Sequence, residues 1–231
     1  MLVGSKVDYD ISKLDIPKDD KGDNNYKKSF SATLTIIVRD KDGKVIKKYK
    51  QKSHSPTANF IGIMLPITYY NIVNSCWTLK TTSNSAISYG LSITSNCSYI
   101  TYPNNGFSHP VYIENILVGS GSQSNSYNAY NLNAPISNGS GTGQLIYSTL
   151  STPTSITING NEAYFIISQS LTNQSGATIT ISEVGIIINI EITQINNTVN
   201  GSGSILTWYD VLSSPISVGN GQSVVFIILL V

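Results

Sequence analysis

From Ser29 the chain alternates, with Phe30, Ala32, Leu34, Ile36 and Val38 at every second position, the period of a half-buried strand. Asp40–Gly43 supplies a turn and Lys44–Gln51 returns as a lysine-rich strand, so this segment reads as a β-hairpin. Thr57–Tyr70 is the one stretch with helical spacing, through Phe60, Ile61, Met64 and Leu65. Pro56 stands near its start, and Gly62 and Pro66 keep it short. Alternation then resumes over 86–94, 99–102, 111–118, 144–150, 155–158, 162–171, 177–192, 205–211 and 224–231, with turns at Asn159-Gly160 and Asn173–Gly176. Turn signals at this spacing predict an all-β protein, an antiparallel β-sandwich of jelly-roll type with one short helix. Residues 1–28 form an extended polar N-terminal arm and 29–231 the sandwich domain. The last strand, Val224–Val231, is apolar at every position, which predicts burial on both faces.

A long break in the pattern lies between Gly119 and Ser140. These residues make a long polar loop that opens with Gly119-Ser120-Gly121 and carries Tyr127, Tyr130 and Leu132. A loop of about 20 residues is usually functional or disordered. Its two tyrosines and leucine are too apolar for a free linker, so they mark a contact loop seated on the sandwich or on a neighbouring subunit.

Charge sharpens this division. Charged residues are 12% of the chain, against roughly 25% in ordinary soluble domains. Residues 1–52 hold 13 of the 14 Lys/Arg and 8 of the 13 Asp/Glu, a net of +5. The remainder carries Lys80 against Glu114, Glu162, Glu183, Glu191 and Asp210, a net of −4. Its surface must therefore be Ser, Thr, Asn and Tyr, which keeps its charge nearly constant as pH changes and suits an exterior. An AT-rich genome, favouring Asn, Ile, Lys and Tyr codons, is the competing explanation. The first fifteen residues lack the apolar run of a signal peptide, and no run of about 18 apolar residues predicts a membrane span.

The chain offers little for catalysis. Its two histidines, His54 and His109, stand beside Ser and Pro in expected loops, and no Gly-x-Ser-x-Gly elbow is present. Glu183 and Glu191 share a strand and are about 26 Å apart by strand rise, too far for paired-carboxylate chemistry. Asp40, Asp42 and Gly43 begin like a calcium loop, but position twelve is Gln51 and not a carboxylate. The glycine runs at 119–122 and 139–143 lack the Lys-Ser/Thr of a phosphate loop. The expectation is no catalytic, metal or cofactor site, no nucleic-acid partner and no enzymatic activity. Cys76 and Cys97 can pair across neighbouring strands or remain two buried thiols. Candidate N-glycosylation sequons occur at Asn96, Asn138, Asn173, Asn196 and Asn200.

Four stretches carry a resemblance. They are residues 40–64 (DKDGKVIKKYKQKSHSPTANFIGIM), 116–136 (ILVGSGSQSNSYNAYNLNAPI), 172–186 (TNQSGATITISEVGI) and 207–231 (TWYDVLSSPISVGNGQSVVFIILLV). Their order resembles that of small β-rich jelly-roll virion proteins of archaeal viruses and phages, over about residues 40–231. The resemblance implies a capsid turret or vertex-spike subunit on the virion surface, assembled without a signal peptide and involved in host attachment. It would contact copies of itself in a homo-oligomer, other virion proteins, and host surface glycans or a receptor. A tail or fibre protein is the alternative within that class, and a cell-surface filament subunit, adhesin or lectin the alternative outside it.

Overall fold

In this computed structural model the described residues are 32–53, 56–60, 77–89, 111–121, 128–152, 156–159, 162–193 and 199–230. They form eleven strands: β1 (Ala32–Arg39), β2 (Val45–Lys52), β3 (Trp77–Lys80), β4 (Ala86–Tyr89), β5 (Val111–Gly119), β6 (Ile146–Tyr147), β7 (Thr157–Asn159), β8 (Glu162–Thr172), β9 (Ile179–Thr193), β10 (Val199–Val218) and β11 (Ser223–Leu230). One sheet runs β2-β1-β11-β8-β6 with β7 also on β8, the second runs β10-β9-β5, and β3-β4 is a separate hairpin. Every strand pairing is antiparallel.

The expected all-β sandwich is what the structure shows, and the strand orders establish the sandwich without establishing jelly-roll connectivity. The hairpin expected at 30–51 is β1–β2; its turn closes where Asp40 Oδ1 accepts from the amides of Asp42 and Lys44, each at 2.9 Å. Only the start of the expected helix, residues 58–60, is described. The arm over 1–28, the strand over 99–102, Cys76, Cys97, Asn96, Asn196 and Tyr127 lie outside the described residues.

β11 holds the larger sheet together, running between β1 and β8 with Phe226 opposite Ile36 on one side and Gln169 on the other. Val224, Phe226, Ile228 and Leu230 enter the core between the two sheets, with Leu34, Ile36, Ile116 and Ile181 among their neighbours. Val225 and Ile227 occupy the opposite face with Ile37 and Ile166. Every side chain from Val224 to Leu230 is buried within the single chain. The two-sided apolar pattern thus reports a central strand, and it supplies no reason to invoke a second copy. Each such side chain contributes roughly 1.5–3 kcal/mol on burial.

Two strands depart from the expected lengths. β6 is only two residues long, and β10 reaches twenty by extending the expected 205–211 over 199–204 on one side and 212–218 on the other. Pairing with β9 through Gly201↔Ile192 and Gly203↔Ile190 overrides the local glycine preference. Pro215 is tolerated because the β10 register slips between Val211 and Ile216, looping out 212–215.

Asn173 is a correction to the glycosylation expectation. It is completely buried, and its Nδ2 donates to the carbonyls of Ala177 (2.8 Å) and Val218 (2.7 Å). Its Oδ1 accepts from the Ser175 amide at 3.0 Å and the Ser175 hydroxyl at 2.8 Å. The amide nitrogen that would carry a glycan is committed to holding the 173–177 turn against the end of β10. Replacing Asn173 by Ala leaves buried carbonyls unpaired and should cost on the order of 3 kcal/mol. Thermal or urea unfolding checks this, and an effect within about 0.5 kcal/mol, the range of an ordinary surface change, would show that the tie is unimportant.

Candidate contact site: a buried carboxylate beneath the central loop

Strict alternation along β9 would send Glu183 into the core behind Ile179 and Ile181. Ile181 and Val184 both face the core, however, so the pleat slips by one residue between them, opposite the 212–215 bulge. Glu183 falls on the outer face of the β10-β9-β5 sheet beside Tyr209, with no exposed surface at all.

The described part of the central loop, residues 128–140, covers that carboxylate. Glu183 Oε2 accepts from the amide of Asn133 at 2.9 Å and, at the long limit of 3.5 Å, from that of Ala134. The Tyr209 hydroxyl donates to Oε1 at 3.4 Å. The same stretch is stitched to β5, since the Ser120 amide donates to Ala134 O (2.9 Å) and the Ile136 amide to Val118 O (2.8 Å). The Gly119-Ser120-Gly121 sequence exists to admit the carboxylate. A Cβ on Gly121 would stand 2.1 Å from Glu183 Oε1, and one on Gly119 would stand 2.7 Å from Oε2 and 2.8 Å from Ala134 O.

Leu132, 3% exposed, packs on Ile187, Leu206 and Tyr209 to form a small second core outside the sheet. Tyr130 is partly buried, with Lys80 Nζ 5.0 Å from its ring centroid, a cation–π distance. These two sequence-predicted contact residues therefore seat the loop on its own sandwich. Tyr147 fixes the far end, its hydroxyl donating to Ile136 O (2.9 Å) and accepting from the Val118 amide (3.3 Å). Asn138 lies exposed at the loop's end and accepts from the Tyr147 amide at 3.0 Å. Asn200 lies near the start of β10.

A second buried acid, Asp210, points between the sheets. It accepts from the Ser53 hydroxyl, which in turn accepts from the Trp208 indole N–H. A small cavity adjoins them, lined by Leu34, Val184, Ile186 and Ile228 among others. Ser53 donates straight to the carboxylate without an intervening imidazole, so this pair lacks the relay that activates a serine nucleophile. Asp210 and Glu183 sit on paired strands, opposite Val184 and Val211 respectively, but they face opposite sides of the sheet and cannot act as a carboxylate pair. Among the described residues no group of three His, Cys, Asp or Glu could hold a metal ion, and no helix is long and apolar enough to cross a membrane.

No protein-family model matches the chain, and no curated protein or solved structure is similar enough to count as a match.

Electrostatics fit a tie and not a reactive centre. Burial first, then the Glu183 charge and its hydrogen bond, push the Tyr209 phenol from 10.0 up to about 12. Burial likewise pushes Tyr147 up to about 12, partly offset by the Val118 amide. Both phenols remain neutral donors at any ordinary pH.

Two predictions follow from this geometry. Gly121→Ala forces the carboxylate off its amide donors and should destabilise by on the order of 3 kcal/mol. Gly143→Ala, where only a positive φ of 75° and open space are present, should cost about 1 kcal/mol. Equal losses in denaturant unfolding would refute the steric account. For pH, a folded pKa above the unfolded one means stability present below pH 10 and lost as pH rises through about 12. Unfolding followed from pH 9 to 12 should show this alkaline loss, and Tyr147→Phe with Tyr209→Phe should flatten it. An unchanged slope in the double variant would contradict the assignment.

Proposed function

We propose that this chain is a structural subunit of a virion exterior, in a turret or vertex-spike position, where it holds shape and presents an uncharged surface toward the host. The observation that carries this reading is how the acids of the charge-poor region are used. Glu183 ties a loop, Asp210 ties β2 to β10 through Ser53, and Glu114 accepts from Ser204 at 2.6 Å. Glu183 and Asp210 serve as internal fasteners and Glu114 as one at the surface, so two of the region's acids are withdrawn from solvent.

A particle exterior places the same demands on a protein. It must stay folded through changes of pH, and few titrating surface groups make it indifferent to them. It must resist proteolysis, and a segment such as 128–140 that is folded down on the sheet offers less to a protease than a free one. Exposed Asn138, in its Asn-Gly-Ser sequon, is a position at which a glycan could be carried without disturbing a buried contact.

Immunogold microscopy with antibodies raised against the purified protein tests this reading. The label should decorate the outside of intact purified virions from the source culture, and the protein should appear in their mass spectrum. An antiserum that detects the protein in producing cells but leaves particles unlabelled, with no peptides in the particle, would overturn it.

A further inference from the structure

Apart from Lys80, every cation of the described residues lies between Arg39 and Lys52. The tip of this hairpin, residues 39–48, holds Arg39, Lys41, Lys44, Lys47 and Lys48 against Asp40 and Asp42. All four lysines are exposed. Asp40 is half-buried, with Oδ1 engaged by the amides of Asp42 and Lys44, and Arg39 Nη1 fastens the turn by donating to Gly43 O at 2.8 Å.

Two large apolar side chains stand uncovered among these lysines, Val45 at 46% and Ile46 at 44% exposure. The ladder slips at this point, since Val38 pairs with Lys47 and Arg39 with Val45, which leaves Ile46 as the extra residue of a bulge. Charge on an edge strand resists unwanted pairing, and that accounts for lysines here. It does not account for two bare aliphatic groups set between them, because Thr would serve an exposed strand as well. The neighbouring turns add no opposing charge. A Cβ on Gly221 would meet Lys41 at 3.7 Å, so the 219–222 turn stands beside the tip. It is joined to the 173–177 turn where the Gly221 amide donates to Asn173 O at 2.7 Å and the Gly176 amide to Asn220 Oδ1 at 3.0 Å. Neither turn contains a charged residue.

We propose that the tip formed by residues 40–48 is a peripheral contact for an anionic lipid surface. Lys41, Lys44, Lys47 and Lys48 meet the headgroup anions, and Val45 and Ile46 enter the boundary between headgroups and acyl chains. Lysine suits such a boundary, since its stem lies along apolar surface while its ammonium stays with the headgroups. A nucleic acid would pair with the lysines but leave Val45 and Ile46 against water. Tyr49, next along β2, packs against the core and offers no open face for a base. A second copy fits poorly as well. Of the acids elsewhere whose surroundings the structure describes, Glu183 and Asp210 are buried and Glu114 is engaged by Ser204. Such a contact is independent of the proposed virion role, and it stands or falls on the purified protein alone.

Co-sedimentation of the full chain with vesicles tests this, using phosphatidylcholine alone and phosphatidylcholine with phosphatidylserine at about 30%. Partition onto the anionic vesicles should be at least tenfold stronger, and should fall at least tenfold as salt rises from about 0.1 to about 0.5 M. K41Q/K44Q/K47Q/K48Q should lower it to the neutral-vesicle level. V45T/I46T keeps β-branching and every charge, and should weaken vesicle binding at least threefold while leaving binding to duplex DNA unchanged. Both variants should retain the β-sheet spectrum. Equal partition onto the two kinds of vesicle, or a lysine variant that binds like the parent, would overturn the proposal. Vesicle binding that V45T/I46T leaves intact would reduce the tip to a general polyanion site, and duplex DNA that binds more tightly than the anionic vesicles would assign the lysines to nucleic acid. Either result overturns the lipid assignment.

Discussion

A carboxylate with no exposed surface, Glu183, sets the form of one whole side of this protein. Burying an ionised group is costly unless its lone pairs are met by donors. Here the donors come from the central loop and from Tyr209. Residues 128–140 must therefore lie flat on the sheet, β5 must end in glycines that leave the oxygens room, and Leu132 is carried onto Ile187 and Leu206. The described part of the loop thus adds a layer outside the sheet.

The same economy recurs at the other polar positions inside the fold. Gln169, buried in the face between the sheets, accepts from Ile116 of one sheet while its own amide donates to Ser148 O at 2.8 Å. Asn173 fastens a turn to β10, and Ser53 joins the end of the first hairpin to Asp210 and Trp208. Glu183, Gln169, Asn173 and Asp210 each take at least one partner from a distant part of the sequence. The sandwich is thus locked in one arrangement by polar contacts as well as by the apolar strand at its centre.

Much of this was readable in the residues. Period-two alternation located the first hairpin and β5, β8, β9 and β11, and the apolar run at the C-terminus marked a strand buried on both faces. Tyr130 and Leu132 were recognisable as loop anchors because they are too apolar for a tether. The extent of β10 was hidden, since Asn200–Ser204 is turn-like in composition and its strand state comes from pairing with β9. Glu183 was missed for a related reason. Its outward position depends on a one-residue slip opposite a bulge, which no periodicity encodes. The signal that could have found it was an acid set directly against the apolar run Val184–Ile188, since a charge beside positions that are buried on both faces requires an internal partner. The sequon at Asn173 misled because a motif reports residue types and not exposure.

The central claim is that Glu183 fastens the loop, and the exchange rate of the Asn133 amide hydrogen measures that bond directly. Asn133 itself is exposed, so its amide has no shelter other than the carboxylate it reaches. In the native chain it should exchange as slowly as amides of the neighbouring β5 strand, and in Glu183→Gln, with the sandwich still folded, at least tenfold faster. An Asn133 amide that exchanges at the rate of an open loop in the native chain, or that is equally slow in the variant, would contradict the account.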